Sequence, residues 1–317
     1  MTADDPIVAA GRWRRLRRLA GPDGVIAGIA LDHRDSLRTL LEREGLGERT
    51  AAEIADLKAI LVRALAPSAT ALMLDAELGR TALEDGGVPP TVGLIMPLEA
   101  QGYEVAGDRR LTTLLDDFSP LDAARAGADT CKLLVPYRVD DAEAADHQDA
   151  VVAATVAACH EVGLPLVVEP VVHRLSTETE DDHVAAYPDL VVRAVARLRP
   201  LGADLLKLPF PVRDPRATDE ATARAACRAL GDACGETPWV LLGGSGATDV
   251  DALVHQIRLA GEAGASGFLA GRAIWGPVLR GDPEETRRLA PDVAVAAFNR
   301  CRAAAESSTR TLRGGPR

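Results

Sequence analysis

Two lysines sit inside apolar stretches of this sequence, where a charged ammonium is costly to keep. Lys207 lies in Ala203-Asp204-Leu205-Leu206-Lys207-Leu208-Pro209, and Lys132 in Thr130-Cys131-Lys132-Leu133-Leu134-Val135. A lysine neutralised by burial is a nucleophile that condenses with a carbonyl to a Schiff base. A second ammonium nearby favours that neutral form, because like charges disfavour one another. Glu169, in Val167-Val168-Glu169-Pro170, ends a third apolar run and is suited to moving a proton on a substrate hydroxyl. Each residue also has a plainer reading. Lys207 would serve equally as an outward-facing lysine or a phosphate contact, Lys132 as an anion contact or the ion-pair partner of Glu169, and Glu169 as a counter-ion.

A second set of residues suits an anion. Gly243-Gly244-Ser245-Gly246 follows one apolar run and Gly271-Arg272 follows another. Glycines let the backbone N–H groups approach a phosphate closely, Ser245 adds a hydroxyl, and Arg272 adds a charged fork; ordinary turn glycine is the alternative. Asp32, His33, Arg34, Asp75 and Glu77 follow two further runs, and the first four of these are candidate substrate contacts. Metal chemistry is the rival, with His33, His173, Asp32, Asp75 and Glu169 as its ligands. No His-x-x-x-His spacing supports it, and buried lysines would repel the cation. No metal or other cofactor is therefore expected.

The elements that must position these residues are legible as alternation. Strand-length apolar runs occur at Val25–Leu31, Ala71–Asp75, Val92–Met96, Thr130–Val135, Pro165–Glu169, Asp204–Leu208, Pro238–Leu242 and Ser266–Ala270. Between them lie amphipathic stretches such as Ala51–Leu65, Asp141–Val162, Asp189–Leu198, Asp219–Ala233 and Val250–Ala263. Several strands are apolar at successive positions, as when both faces of a parallel sheet are buried. Three helix-to-strand joints share the punctuation Gly-Ala-Asp or Gly-Ala-Ser, at residues 127–129, 202–204 and 264–266, with the glycine as a left-handed cap. This predicts an α/β fold, a (β/α)8 TIM barrel. A doubly wound open sheet would place a Gly-rich loop after its first strand, where this chain has Leu31-Asp32-His33-Arg34. The predicted organisation is one barrel domain over 25–306, an N-terminal helical extension over 1–24, a long excursion over Pro97–Pro120, and a disordered tail over 307–317. In such a barrel, the charged residues above fall at the C-terminal ends of the strands, where barrel enzymes build their sites.

Composition narrows the partners. The 317 residues carry 36 Lys and Arg against 47 Asp and Glu, a net charge of −11, with only four Phe, three Tyr and three Trp. That balance disfavours nucleic acid and anionic membrane and fits a soluble protein acting on a small metabolite. The basic stretch Arg12–Arg18 carries Trp13, Leu16 and Leu19 at helical spacing, so it is expected to lie on the protein itself. No secretory run is read at the N-terminus. Five cysteines with no CxxC pair, two of them in apolar settings (Cys131 and Cys159), point to buried free thiols and a cytoplasmic location.

From residue 25 to 280, these pieces in order resemble the class I tagatose-1,6-bisphosphate aldolase family, which includes the sulfofructose-phosphate aldolases. The resemblance is carried by Leu31-Asp32-His33-Arg34, Leu74–Gly79, Lys132-Leu133-Leu134, Val168–Val172, Gly202–Lys207, Pro238–Leu242 and Ala265–Trp275. It implies a barrel aldolase in which Lys207 forms the imine and Glu169 is the acid–base residue. Lys132 and Arg34 would line the pocket, and residues 243–246 and 271–272 would hold the substrate's phosphate or sulfonate. A homo-oligomer is expected on the same ground. Two positions depart from the family pattern: His33 stands where Gln is usual, and Leu208-Pro209 replaces Val-Glu after the lysine. The absent glutamate bears on substrate choice and not on the imine step. Two other readings stay open: a different barrel lyase or isomerase of a phosphorylated metabolite, and a sugar-phosphate-binding protein without turnover.

Overall fold

Strands buried on both faces need helices outside and a packed interior, and the apolar runs satisfy both by closing on themselves. The computed structural model describes residues 5–102, 104–106, 108–215, 217–244, 249–280, 282–309 and 312. Its barrel strands are β1 (Ile26–Leu31), β2 (Ala71–Leu74), β3 (Gly93–Pro97), β4 (Thr130–Tyr137), β5 (Leu166–Val172), β6 (Leu205–Pro209), β7 (Trp239–Gly243) and β8 (Gly267–Ala270). All neighbouring pairs are parallel and β8 pairs with β1, which closes a TIM barrel.

Alternate side chains point into the barrel. Ile26, Ala30, Ala71, Met73, Ile95, Val167, Leu205, Val240 and Leu269 form an interior cluster, separate from the larger cluster between strands and helices. The same parity carries Asp32, Asp75, Lys132, Glu169 and Lys207 inward, towards the C-terminal ends. β4 and β5 run two and three residues beyond their expected ends, with Leu134–Tyr137 paired to Glu169–Val172. Glu169 is therefore in mid-strand, on a hydrogen-bonded segment, and not at a strand end.

The helices start where their caps dictate. Thr50 and Glu53 form a capping box ahead of Ala51–Leu65, and Asp141 and Asp219 cap Ala142–Glu161 and Glu220–Cys234. One helix begins earlier than expected. Pro188 reads as a stop, yet the helix spans Glu180–Leu198, started by a Thr179–Asp182 capping box and held by buried His183, Tyr187, Leu190 and Val191 on both sides of the proline. The three joint glycines, Gly127, Gly202 and Gly264, all have positive φ (87°, 92° and 101°), as their capping role requires. The long excursion after β3 holds a small antiparallel hairpin, Glu104–Ala106 with Arg109–Leu111.

The N-terminal helix, Pro6–Arg17, closes the barrel floor. Leu16 and Leu19 are buried within the interior cluster, and Trp13 packs beside them. Arginines three apart along the chain reach the helix-to-strand joints: Arg12 Nε lies 4.0 Å from Asp204, Arg15 donates to the Ala128 carbonyl at 3.2 Å, and Arg18 pairs with Asp129 at 2.5 Å. The basic stretch thus lies on the protein itself. Leu19→Ala is expected to cost roughly 2–5 kcal/mol of folding stability, read from denaturant midpoints, because the floor cannot collapse onto the missing side chain. The last helix runs through Val295–Ser308, into the stretch expected to be disordered, and Leu312 N donates to Gly24 O at 2.8 Å. Residues 310, 311 and 313–317 lie outside those described. All five cysteines are buried and free, and among the described residues no helix is long and apolar enough to cross a membrane.

Candidate active site

Pairing of Val167 with Leu205 and of Val168 with Leu206 brings Glu169 level with Lys207 on neighbouring strands. Both side chains are buried, and Lys207 Nζ donates to Glu169 Oε2 at 3.0 Å. Lys207 also reaches across the interior to within 3.9 Å of Met73 Sδ, so it is an inward-facing residue of the barrel and not a surface lysine. Lys132 comes from one inward position lower on β4, opposite Val167, and its ammonium is 3.1 Å from the same Glu169 oxygen. The two lysines therefore share one carboxylate oxygen. Lys132 Nζ also donates to Asp32 Oδ2 at 3.0 Å and to Glu99 Oε1 at 2.5 Å.

Glu99 was not foreseen. Its strand was expected to end at Met96, but the inward parity of β3 (Gly93, Ile95, Pro97) continues to Glu99, and that parity was the available signal. The backbone on both sides is tied: Leu98 N donates to Lys132 O and Ala100 N to Thr113 O, each at 2.9 Å. The second carboxylate oxygen of Glu99 accepts from Leu134 N at 3.1 Å, and its carbonyl accepts from Arg34 Nη2 at 2.7 Å. Arg34 is thus buried beneath this loop.

Electrostatics follow from burial. Burial alone would raise the Asp32 carboxyl, but the Lys132 and Lys207 ammonium groups outweigh it and hold Asp32 well below the usual carboxylate range. Burial opposes the Lys132 charge, yet Asp32, Glu169 and Glu99 together keep Lys132 firmly protonated. For Glu99 burial wins over Lys132, and its carboxyl is pushed up. His33 is lowered to about 4, first by burial and then by Arg272 and Lys207 against the opposing Asp32, so its imidazole is neutral near pH 7. That ring stands edge-on to Trp275 at a centroid distance of 5.2 Å, and Trp275 Nε1 donates to Ala30 O at 2.9 Å. Gly271 permits this packing, since an added Cβ would lie 2.7 Å from Ala30 O and 3.0 Å from His33 Cε1.

Other expected contacts are placed differently. Asp75 is turned into a fully buried ion pair with Lys58, while its other oxygen accepts from Leu78 N at 2.6 Å. Lys58 escaped notice although it interrupts the apolar stripe of its helix, standing one turn after Ile54 beside Leu57 and Leu61. Glu77 is exposed. Pairing of Gly243 with Ala270 sets the ends of β7 and β8 side by side, with Gly244 and Gly271 next along each chain. Ser245 lies outside the described residues, as do residues 246–248. Arg272 opens a short helix, Arg272–Trp275, and is exposed, facing a cleft of about 310 Å³ between Leu40, Glu44, Leu46 and Arg280. His173 turns away from the cluster, its Nε2 3.3 Å from Asp108 O. Among the described residues no three His, Cys, Asp or Glu side chains form a metal-ligand group. The space between Asp32, Glu99 and Glu169 holds the Lys132 ammonium instead.

The fold and site define a TIM-barrel protein with a buried lysine–carboxylate cluster in its interior. The chain belongs to the DeoC/LacD family of aldolases, whose family model matches residues 27–276. It is therefore a lyase. Tagatose 1,6-diphosphate aldolase 1 of Enterococcus faecalis is 28% identical over 282 residues, covering 84% of this chain and 85% of that protein. A tagatose 1,6-diphosphate aldolase of Listeria monocytogenes is 29% identical, covering 65% of this chain and 61% of that protein. Among solved structures, the fructose-bisphosphate aldolase of Slackia heliotrinireducens superposes with a TM-score of 0.61 at 20% identity, covering 97% of this chain and 94% of that one. A Schiff-base-forming fructose-1,6-bisphosphate aldolase gives a TM-score of 0.55 at 18% identity, covering 88% and 98%. These two likenesses concern the fold.

Proposed function

We propose that this chain is a class I aldolase that reversibly cleaves a phosphorylated ketose of the tagatose-1,6-bisphosphate or sulfofructose-phosphate type into dihydroxyacetone phosphate and an aldehyde. The observation that carries this reading is the buried Lys207 amine 3.0 Å from Glu169, with the Lys132 ammonium on the same oxygen. Lys207 attacks the C2 carbonyl, and loss of the C2 oxygen as water leaves a protonated imine. Glu169 takes the proton of the C4 hydroxyl as the C3–C4 bond breaks, and the bonding pair flows to the imine nitrogen to give an enamine. The aldehyde departs. Protonation at C3 and hydrolysis then release dihydroxyacetone phosphate and restore the amine. Lys132 holds Glu169 in place through its 3.1 Å contact, and Asp32, His33 and Arg34 line the side nearest β1. Gly244, Ser245, Gly271 and Arg272 hold the anionic end. Asp75 supports this wall through Lys58. The names of the relatives support tagatose 1,6-bisphosphate as the first substrate to try. A cytoplasmic homo-oligomer is part of the same reading.

Borohydride reduction in the presence of dihydroxyacetone phosphate, followed by peptide mass mapping, is expected to place the adduct on Lys207. An adduct on another lysine would overturn the site, and none at all would overturn the imine. Glu169→Gln is expected to lower kcat by roughly 10²–10⁴-fold, the range of a lost acid–base group. Wild-type turnover in that variant would remove Glu169 from the chemistry.

A further inference from the structure

The imine and acid–base steps above make no use of Glu99, although it is the most constrained carboxylate of the cluster. Both its oxygens are hydrogen-bonded, its carbonyl is held by Arg34, and the amides on either side are paired. A further problem lies in the same place. To attack a carbonyl Lys207 must shed a proton, and it sits in a barrel interior where Lys207, Lys132, Glu169 and Glu99 are each no more than 5% exposed. Their contacts form an unbroken chain: Lys207 to Glu169 at 3.0 Å, Glu169 to Lys132 at 3.1 Å, and Lys132 to Glu99 at 2.5 Å.

We propose that Glu99 is the terminal acceptor of a proton relay running Lys207–Glu169–Lys132–Glu99, which frees the Lys207 amine without releasing a proton to solvent. The proposal rests on the Schiff-base reading. Lys207 passes a proton to Glu169 Oε2, and Lys132 takes that proton while giving one of its own to Glu99 Oε1. Only N–H and O–H bonds change. Before transfer both lysines are positive and both glutamates negative; afterwards Lys207 and Glu99 are neutral, Lys132 is positive and Glu169 negative, so the total is unchanged. The reverse passage returns the proton to Glu169 when the carbinolamine loses its hydroxyl as water.

The neighbours favour Glu99 as the end of the chain. Asp32, the third carboxylate on Lys132 beside Glu169 and Glu99, faces two ammonium groups and stays ionised. Glu99 faces Lys132 from β4, Asp32 from the end of β1 and Glu169 from β5, and its burial favours the neutral acid. Arg34 meets only its backbone carbonyl, and the Lys58 charge is absorbed by Asp75. Glu99 does not touch the reacting atoms in this scheme; it acts as a positioning residue through Lys132.

The test is the rate at which the reducible Lys207 adduct forms with dihydroxyacetone phosphate, followed by rapid quench between about pH 6 and pH 8. In the wild type the internal exchange makes that rate nearly independent of pH. In Glu99→Gln the proton must leave to solvent, so the rate is expected to fall roughly tenfold per pH unit towards acid. Glu99→Asp, which keeps an ionisable carboxyl, is expected to restore the flat profile at a lower rate. A flat profile in Glu99→Gln overturns the relay, as does a profile in Glu99→Asp as steep as that of Glu99→Gln. Should Glu99→Gln not fold, the comparison of Glu99→Asp with wild type still decides, a steep aspartate profile counting against the relay. Failure of the wild type itself to form an adduct on Lys207 would instead overturn the Schiff-base reading.

Discussion

Lys207→Met is expected to reduce retro-aldol turnover by on the order of 10⁴–10⁶-fold, the scale seen when a covalent nucleophile is removed, while the barrel stays folded. Methionine matches the length of lysine and meets Met73 on the opposite wall, so no large cavity opens. Its loss does not strand Glu169, whose Oε2 keeps the Lys132 ammonium at 3.1 Å. The variant therefore separates chemistry from folding, which an alanine substitution would do less cleanly. Steady-state kinetics with tagatose 1,6-bisphosphate, a thermal melt and borohydride trapping would be read together. Turnover within about tenfold of wild type would show that no covalent step passes through this residue. Loss of turnover with loss of the adduct and an unchanged melt is the expected result.

The alternation of apolar runs with amphipathic stretches was enough to place every barrel strand to within a few residues, because β-parity and helical periodicity both report burial directly. The same parity located Lys132 and Lys207: an apolar strand of a closed barrel has two buried faces, and a lysine on either must be explained. Glu99 was hidden for a different reason. It follows Pro97, and a proline reads as the end of a strand, whereas the chain keeps its inward alternation for one more step before turning. Its partners, Lys132 and Leu134, lie more than thirty residues away on β4. Glu169 was found but set at a strand end, since Pro170 also reads as a stop; pairing with β4 carries the strand on to Val172. The glycine-rich segments that follow β7 and β8 were legible from the local sequence alone. That the ends of β7 and β8 lie side by side depends on the pairing of Gly243 with Ala270, which no local pattern states.

Lys58 shows how a buried pair can be misread from one of its members, and its removal is expected to have a large effect on stability. Asp75 at the end of β2 looks like a substrate ligand, yet its carboxylate is answered from behind by a lysine on the helix Ala51–Leu65, and both side chains are at most 1% exposed. Burial pushes the Lys58 ammonium down, and the paired Asp75 opposes that shift. Lys58→Ala should therefore destabilise the fold by about 3–5 kcal/mol, the cost of leaving an uncompensated carboxylate in a dry interior. Lys58→Met with Asp75→Asn removes both charges, preserves the volume and leaves an amide oxygen to accept from Leu78 N. That double variant is expected to recover most of the loss, since a buried ion pair is often replaceable by neutral groups of similar shape. Denaturant midpoints at constant m-value check the first expectation, and a double variant as unstable as Lys58→Ala would refute the second. Activity then separates the two roles of Asp75. If the residue acts through Lys58 to support the wall, the folded double variant keeps its KM; a KM raised tenfold or more, about 1.4 kcal/mol, would mean that Asp75 also meets the substrate.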